Sequence, residues 1–268
     1  MSNSWQPILA MIQRTATAKG RAASGYFSIE GTRLHERALR ADASITAVLT
    51  SQTFINNPSA RETAVLQQLT EQNIPYHPIP DAEITKLTQG RRLGGLIGLV
   101  RLPAPPQLAN WLAAHPTPTI LVAVDVVDPG NVGGMIRTAH ALGAGLFVAV
   151  GGSDPFHPRA VRTSMGSLFK LPIVTTTLPT LFEALRPFSI QTIGAVAENG
   201  LPLPQLNVSG GGTAVFMGSE YWGLPNALLN QLDQQITIPM NPGIDSFSVN
   251  AATAIVLYEL QRLASSTL

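Results

Sequence analysis

The sequence predicts an α/β protein in two parts, a smaller α/β domain followed by a larger α/β/α domain on a largely parallel sheet. Three observations carry that expectation. The chain has 268 residues, more than one core usually organises, since single cores stop growing near ~250 residues. The stretch from Leu102 to Thr119 carries five prolines, which remove backbone donors and bias their predecessors toward extended structure, as in a linker. Beyond it, short apolar runs alternate with helical patterns, as expected of strands buried on both faces of a parallel sheet. The implied boundaries are 1–102, a linker over 103–117, and 118–268.

Taken in order, the first part predicts a strand over 26–30 (YFSIE), a helix from Arg33 to Arg40, a strand over 45–51, a helix from Arg61 to Gln72 and a strand within 94–100. Each strand is a short β-branched or aromatic run bounded by turn residues. The second part predicts strands within 119–127, 145–150, 171–176, 189–197, 213–218 and 235–240. Helices are expected from Val132 to Leu142, Thr180 to Leu185 and Asn250 to Leu263. No internal repeat of solenoid length is visible.

Hydrophobic residues make up 45% of the chain and charged residues 12%, enough apolar material for packed cores and no charged tail. The absence of cysteine excludes disulfides, thiolate catalysis and Cys-based metal sites, and fits a reducing compartment. The N-terminus lacks the pattern of an export signal, and no apolar run reaches the ~18 residues that would cross a bilayer. A cytoplasmic protein is expected. Residues 1–105 hold 11 Lys/Arg against 7 Asp/Glu, whereas 106–268 hold 6 against 9. The basic excess of the first part could meet phosphates, or be an accident of solvated surface.

Three stretches could carry chemistry. Asp128-Pro-Gly-Asn-Val-Gly-Gly-Met-Ile-Arg137 follows an apolar strand. Its glycines permit close backbone approach, and Asn131 is a good cap for the next helix. Such a turn suits an anion, and by itself it equally fits a Rossmann nucleotide site or a plain tight turn. Val215-Phe-Met-Gly218-Ser-Glu220-Tyr-Trp-Gly223-Leu224 places a carboxylate on a loop over a ligand, or else caps a helix with Ser219 or Glu220. Ile238-Pro-Met240-Asn-Pro-Gly-Ile-Asp-Ser246-Phe247-Ser248-Val-Asn250 reads as strand end, proline-pinned loop and helix. Three loops at strand ends would converge on one sheet edge, where α/β proteins bind ligands.

In this order the stretches resemble the SpoU, or TrmH, branch of the SPOUT RNA methyltransferases over about residues 118–262. Asn131 and Arg137 match its first motif, N-x-G-x-x-x-R-[ST]-A. Gly218, Glu220, Gly223 and Leu224 match the second, G-x-E-x-x-G-[LM]. The third, I-P-M-x-G-x-x-x-S-L-N-V, is similar to 238–249, and Arg159 to Pro172 is similar to the segment between the first two. YFSIEGTRLHERALRA and TQGRRLGGLIGLV look like the ribosomal-protein-like RNA-binding domain that often precedes this catalytic domain. One departure matters: Ser248 stands where the family has asparagine, and a hydroxyl offers fewer hydrogen bonds and less reach than an amide. Either Asn250, two residues later, compensates, or activity is reduced, or the substrate is unusual. Tyr221 and Trp222 also stand where the family more often has Gly and an acidic residue.

The resemblance implies a SPOUT fold whose C-terminal segment is threaded into a trefoil knot, an exception to the rule against knots. It implies an S-adenosylmethionine-dependent transfer of methyl to a ribose 2′-hydroxyl of rRNA, or less favourably tRNA. The cofactor would sit against Gly218, Ile238, Met240 and Phe247. Arg137 would act on the hydroxyl, with Asn131, Glu220, Ser246 and Ser248 holding the groups in register. Arg33, Arg37, Arg40, Arg91 and Arg92 would meet RNA. Tyr221 and Trp222 would stack on a base or pack into a core or interface. A homodimer is implied and no metal is required. Two alternatives stand beside this reading. One is a weakly active or inactive RNA-binding or ribosome-assembly protein that has kept the fold. The other, more remote, is a Rossmann-type dinucleotide-dependent oxidoreductase, which would need a G-x-G-x-x-G that Gly130, Gly133 and Gly134 do not supply.

Overall fold

The computed structural model describes residues 5–91, 95–208 and 210–266. The chain forms two compact units: Met1–Pro103 together with Phe156–Phe169, and Ala104–Pro155 together with Lys170–Leu268.

The elements of the first stretch are α1 (Gln6–Arg14), α2 (Ala18–Ser24), β1 (Tyr26–Glu30), α3 (Thr32–Arg40), β2 (Ile45–Ser51), α4 (Gln52–Asn56), α5 (Ala60–Glu71), β3 (Tyr76–Ile79), α6 (Asp81–Leu87) and β4 (Leu96–Arg101). Then follow α7 (Leu108–Ala114), β5 (Thr119–Val124), α8 (Pro129–Ala141), β6 (Leu146–Val150), α9 (Pro158–Thr163), β7 (Ile173–Thr176), α10 (Leu178–Leu185), β8 (Gln191–Val196), β9 (Leu201–Pro202), β10 (Thr213–Met217), α11 (Asn226–Leu229), β11 (Gln234–Thr237) and α12 (Val249–Ser266).

In the first unit the sheet order is β1-β4-β2-β3. β4 runs antiparallel to β1 and β2, and β3 parallel to β2. Alternation along β4 covers both faces. Ile97 and Leu99 join Ile12 of α1 and Ile84 of α6 in one cluster, while Gly98 lies against His35 of α3 and Ile29. A side chain at Gly98 would collide with the imidazole, so His35 occupies the volume that glycine leaves. Sequence punctuation sets the helix starts: Thr17 caps α2, and Ser59 with Glu62 forms a reciprocal capping box on α5. The segment Phe156–Phe169 lies within the sequence range 118–268 yet packs with this unit. The Phe27 ring sits 5.1 Å from Phe156 and 6.4 Å from Phe169, centroid to centroid.

In the second unit seven parallel strands follow the order β7-β6-β5-β10-β8-β11-β9. The central strands β5, β6 and β10 are almost wholly buried, which accounts for their unbroken apolar runs. One face carries a core of Val122, Val124, Val148, Phe216, Leu181 and Leu185. Trp111 and Leu112 belong to the same core. They lie on α7, inside the stretch read as a linker from its prolines, because Leu108, Trp111 and Leu112 share a helical face that docks. From β5 the chain runs outward through β6 to β7, and the later strands lie on the other side. The strand order therefore reverses between β5 and β10, and loops leaving the carboxyl ends there diverge and open a crevice.

Candidate active site

The loop after β5 enters α8 through Asp128, whose carboxylate accepts from the Asn131 backbone N–H at 3.0 Å. The helix starts at Pro129, where the missing donor costs nothing. Asn131 is therefore not the cap that its type suggested, and its side chain is released for longer contacts. Its Nδ2 donates to Glu220 Oε1 at 2.7 Å, and its Oδ1 accepts from Asn250 Nδ2 at 2.8 Å. The other Glu220 oxygen accepts from the Val127 N–H at 3.4 Å. One chain of hydrogen bonds thus joins the loop after β5, the loop after β10 and the start of α12. Gly134 makes room for it, since a Cβ there would lie 2.5 Å from Asn250 Oδ1.

The loop after β10 is a tight hairpin rather than a helix start, so neither Ser219 nor Glu220 caps a helix. Ser219 and Gly223 exchange backbone hydrogen bonds at 3.2 and 2.9 Å. Gly223 adopts φ +64°, a left-handed conformation that glycine reaches without strain. Tyr221 and Trp222, at its tip, are 83% and 89% exposed. The third loop runs from Ile238 to Ser248. Ser248 begins α12 as its cap, its hydroxyl accepting from the Ala251 N–H at 3.3 Å and its carbonyl from the Ala252 N–H at 2.9 Å.

These three loops and the end of β8 wall a cavity of about 600 Å³, within the range of small-molecule and cofactor sites. Gly218, Ile238, Met240 and Phe247 line it, together with Asn131, Glu220, Ser246 and Ser248. Ala195, Ile236 and Val256 add apolar surface. Arg137 stands exposed on α8 and, among the described residues, is not part of this wall. Two contacts lie beyond sequence reasoning. Asn250 is expected only as a substitute for the asparagine that Ser248 replaces, and its partner Asn131 lies 119 residues away. The Val127 N–H has no side-chain signature at all.

Of the arginines expected to meet RNA, Arg33, Arg37 and Arg40 are exposed on one face of α3, and the Arg37 stem passes over Gly166. Arg92 lies outside the described residues. Arg91 instead pairs with Glu30 at 3.2 Å, and Arg162 reaches the same carboxylate at 3.3 Å. Glu30 is only 8% exposed, so Arg91 is held as part of a structural ion-pair cluster. Glu36 takes a two-pronged contact from Arg61. That hydrogen bond holds its carboxyl below the usual range, with Arg40 and Arg33 adding to the effect.

Residues 118–258 match the model of the SpoU rRNA methylase family. The chain is 28% identical over 246 residues to the 23S rRNA (guanosine(2553)-2′-O)-methyltransferase RlmP of Bacillus subtilis, covering 91% of this chain and 92% of that protein. It is 37% identical over 156 residues to the 23S rRNA (uridine(2479)-2′-O)-methyltransferase of Streptomyces viridochromogenes, covering 52% of each. The crystal structure of an AdoMet-bound rRNA methyltransferase from Sinorhizobium meliloti superposes with a TM-score of 0.82 at 25% identity, over 98% of this chain and 97% of that one.

Proposed function

Because the chain belongs to the SpoU rRNA methylase family, we propose that it transfers a methyl group from S-adenosylmethionine to a ribose 2′-hydroxyl of ribosomal RNA. The observation that carries this reading is the Glu220–Asn131–Asn250 chain of hydrogen bonds, which ties three strand-end loops around one cavity at the switch point of a parallel sheet. The cavity suits the cofactor in size, in its apolar walls and in its few convergent polar groups. Gly218, Ile238, Met240 and Phe247 would hold it.

When bound, S-adenosylmethionine supplies a methyl group on a positively charged sulfur. The chain's own task is alignment, worth ~7–11 kcal/mol in favourable cases, and the three-loop chain of bonds sets it before substrate arrives. Arg137 brings a fixed positive charge for the oxygen that develops negative charge as its proton leaves. A guanidinium keeps its own protons, so an RNA phosphate positioned by Arg137 is the better acceptor of that proton. Ser246 is exposed beside the cavity and contributes a hydroxyl to orient substrate. Ser248 serves through the cap of α12, and Asn250 gives Asn131 the carboxamide that Ser248 lacks. The reason to read the chain as a non-catalytic RNA binder thereby weakens, and the relatives, named as methyltransferases, disfavour the dinucleotide oxidoreductase.

Arg137 stands outside the wall of its own cavity, which supports a homodimer in which each subunit's Arg137 serves its partner's cofactor. Among the described residues no helix is long and apolar enough to cross a membrane, and an rRNA substrate fits a cytoplasmic enzyme. The test is transfer of labelled methyl from S-adenosylmethionine to ribosomal and transfer RNA from cells lacking the protein. A 2′-O-methylnucleoside in rRNA is expected, with the rate down about 10²- to 10³-fold in Arg137→Ala and cofactor affinity kept. Label in neither RNA would sink the proposal, and label in tRNA alone would move the substrate.

A further inference from the structure

Among the described residues, Tyr221 and Trp222 are the most exposed of the large hydrophobic side chains, at 83% and 89%. Both also line the cavity that holds Glu220 and Asn131. Large aromatic surface left in water at the mouth of a site calls for an occupant. The hairpin that presents them is set in advance. Its ends are closed by the reciprocal Ser219 and Gly223 backbone bonds, the Tyr221 N–H meets Ser219 Oγ at 3.3 Å, and Glu220 between them is anchored by the Asn131 side chain and the Val127 N–H. The backbone that carries the two rings therefore loses little freedom when a flat partner arrives.

We infer that Tyr221 and Trp222 form a stacking platform for an unstacked base of the RNA, that of the target nucleotide or its immediate neighbour. This rests on the proposed methyl transfer. A ribose hydroxyl enters a cavity most readily from an unstacked nucleotide of a loop or bulge, and the stacking lost in the RNA is recovered on an aromatic face. Because every base offers such a face, the platform contributes affinity and position with little choice among bases. A partner subunit that brings its Arg137 to this cavity must still leave the mouth open to the acceptor, so RNA, and not the second copy, is the occupant of the exposed rings that the geometry favours.

The experiment uses the full chain and rRNA from cells lacking the protein. Trp222→Ala and Tyr221→Ala should each lower kcat/KM for rRNA about tenfold or more, chiefly through KM. Cofactor affinity and sedimentation should stay as in wild type, and Trp222→Phe should retain most of the activity. In parallel, rRNA should quench the tryptophan emission of wild type, and the quench should vanish in Trp222→Phe, where only Trp5 and Trp111 remain. Wild-type kcat/KM in the Tyr221→Ala, Trp222→Ala double variant overturns the inference. So does a change of sedimentation in that variant, which would assign the rings to a subunit interface. If wild type transfers no methyl at all, the proposed activity fails, but the quench still decides whether a base stacks on Trp222.

Discussion

In the first unit a four-stranded mixed sheet is covered on both faces, and 13 Lys/Arg stand against 7 Asp/Glu. In the second, seven parallel strands carry 4 Lys/Arg against 9 Asp/Glu. The contrast is sharper than a cut through the sequence suggests, because Arg159 and Arg162 fold with the first unit. Charge is also spent differently. Several cations of the first unit are engaged inside it: Arg21 is buried and donates to the Thr15 carbonyl, Arg61 holds Glu36, and Arg91 and Arg162 share Glu30. The second unit builds its site from uncharged amides, hydroxyls, backbone and the carboxylates of Glu220 and Asp245. A mixed sheet distributes its loops to both ends, so what it can offer a polyanion is a helix face such as that of α3. A parallel sheet gathers its loops at one edge, and there short-range geometry can be set.

The largest effect that separates the units is acid stability. Burial pushes His35 down from the ordinary 6.5 to about 4, against the opposing effect of its hydrogen bond with the Gly31 carbonyl. The unfolded chain therefore takes up a proton near 6.5 while the folded one resists until about 4. Stability contributed by the neutral imidazole is full above 6.5, falls through this window, and is lost below it, by about 3 kcal/mol in total. Amide hydrogen exchange of β1 and β4 between pH 7 and 4 should show the decline, and His35→Gln should flatten it. An unchanged slope in the variant would place the acid sensitivity elsewhere.

A smaller effect belongs to the second unit. Gly134→Ala puts a methyl group where the Asn250 amide lies, 2.5 Å from its oxygen, and must displace Asn250 from Asn131. Overpacking of this kind costs about 1–3 kcal/mol. Weaker cofactor binding by calorimetry should accompany the lower melting temperature, because the same amide ties the loops that wall the cavity. A variant that melts lower but binds cofactor as wild type would show that the bond chain supports the fold without setting the site.

The sequence made the second unit legible through its local patterns. Strands buried on both faces read as apolar runs, and the three loops read as motifs because each is contiguous. What it hid was of two kinds. The packing of Phe156–Phe169 beside Phe27 and the bond between Asn131 and Asn250 depend on residues far apart in the chain, and no periodicity records such a partner. Helix α7 was hidden by its flanking prolines, which obscured the common face of Trp111 and Leu112. Asn131 fits a cap by residue type, but Asp128 before Pro129 fits that role better and takes it.

The finest distinction between the units concerns how RNA is held. Arg33 and Arg40 are exposed on α3, and a guanidinium that meets a phosphate releases counterions, whatever the base attached. Replacing each by alanine should reduce the dependence of log affinity on log salt by about one, equally for different rRNA fragments. Methyl transfer at saturating RNA should be unaffected, because these residues bind without touching the reacting atoms. Trp222→Ala should do the converse, weakening binding with the salt slope unchanged, since stacking displaces no counterion. If the Arg33 and Arg40 variants kept the full slope while Trp222→Ala lowered it, recognition would have to be assigned to the second unit, and the charge asymmetry between the units would have no part in it.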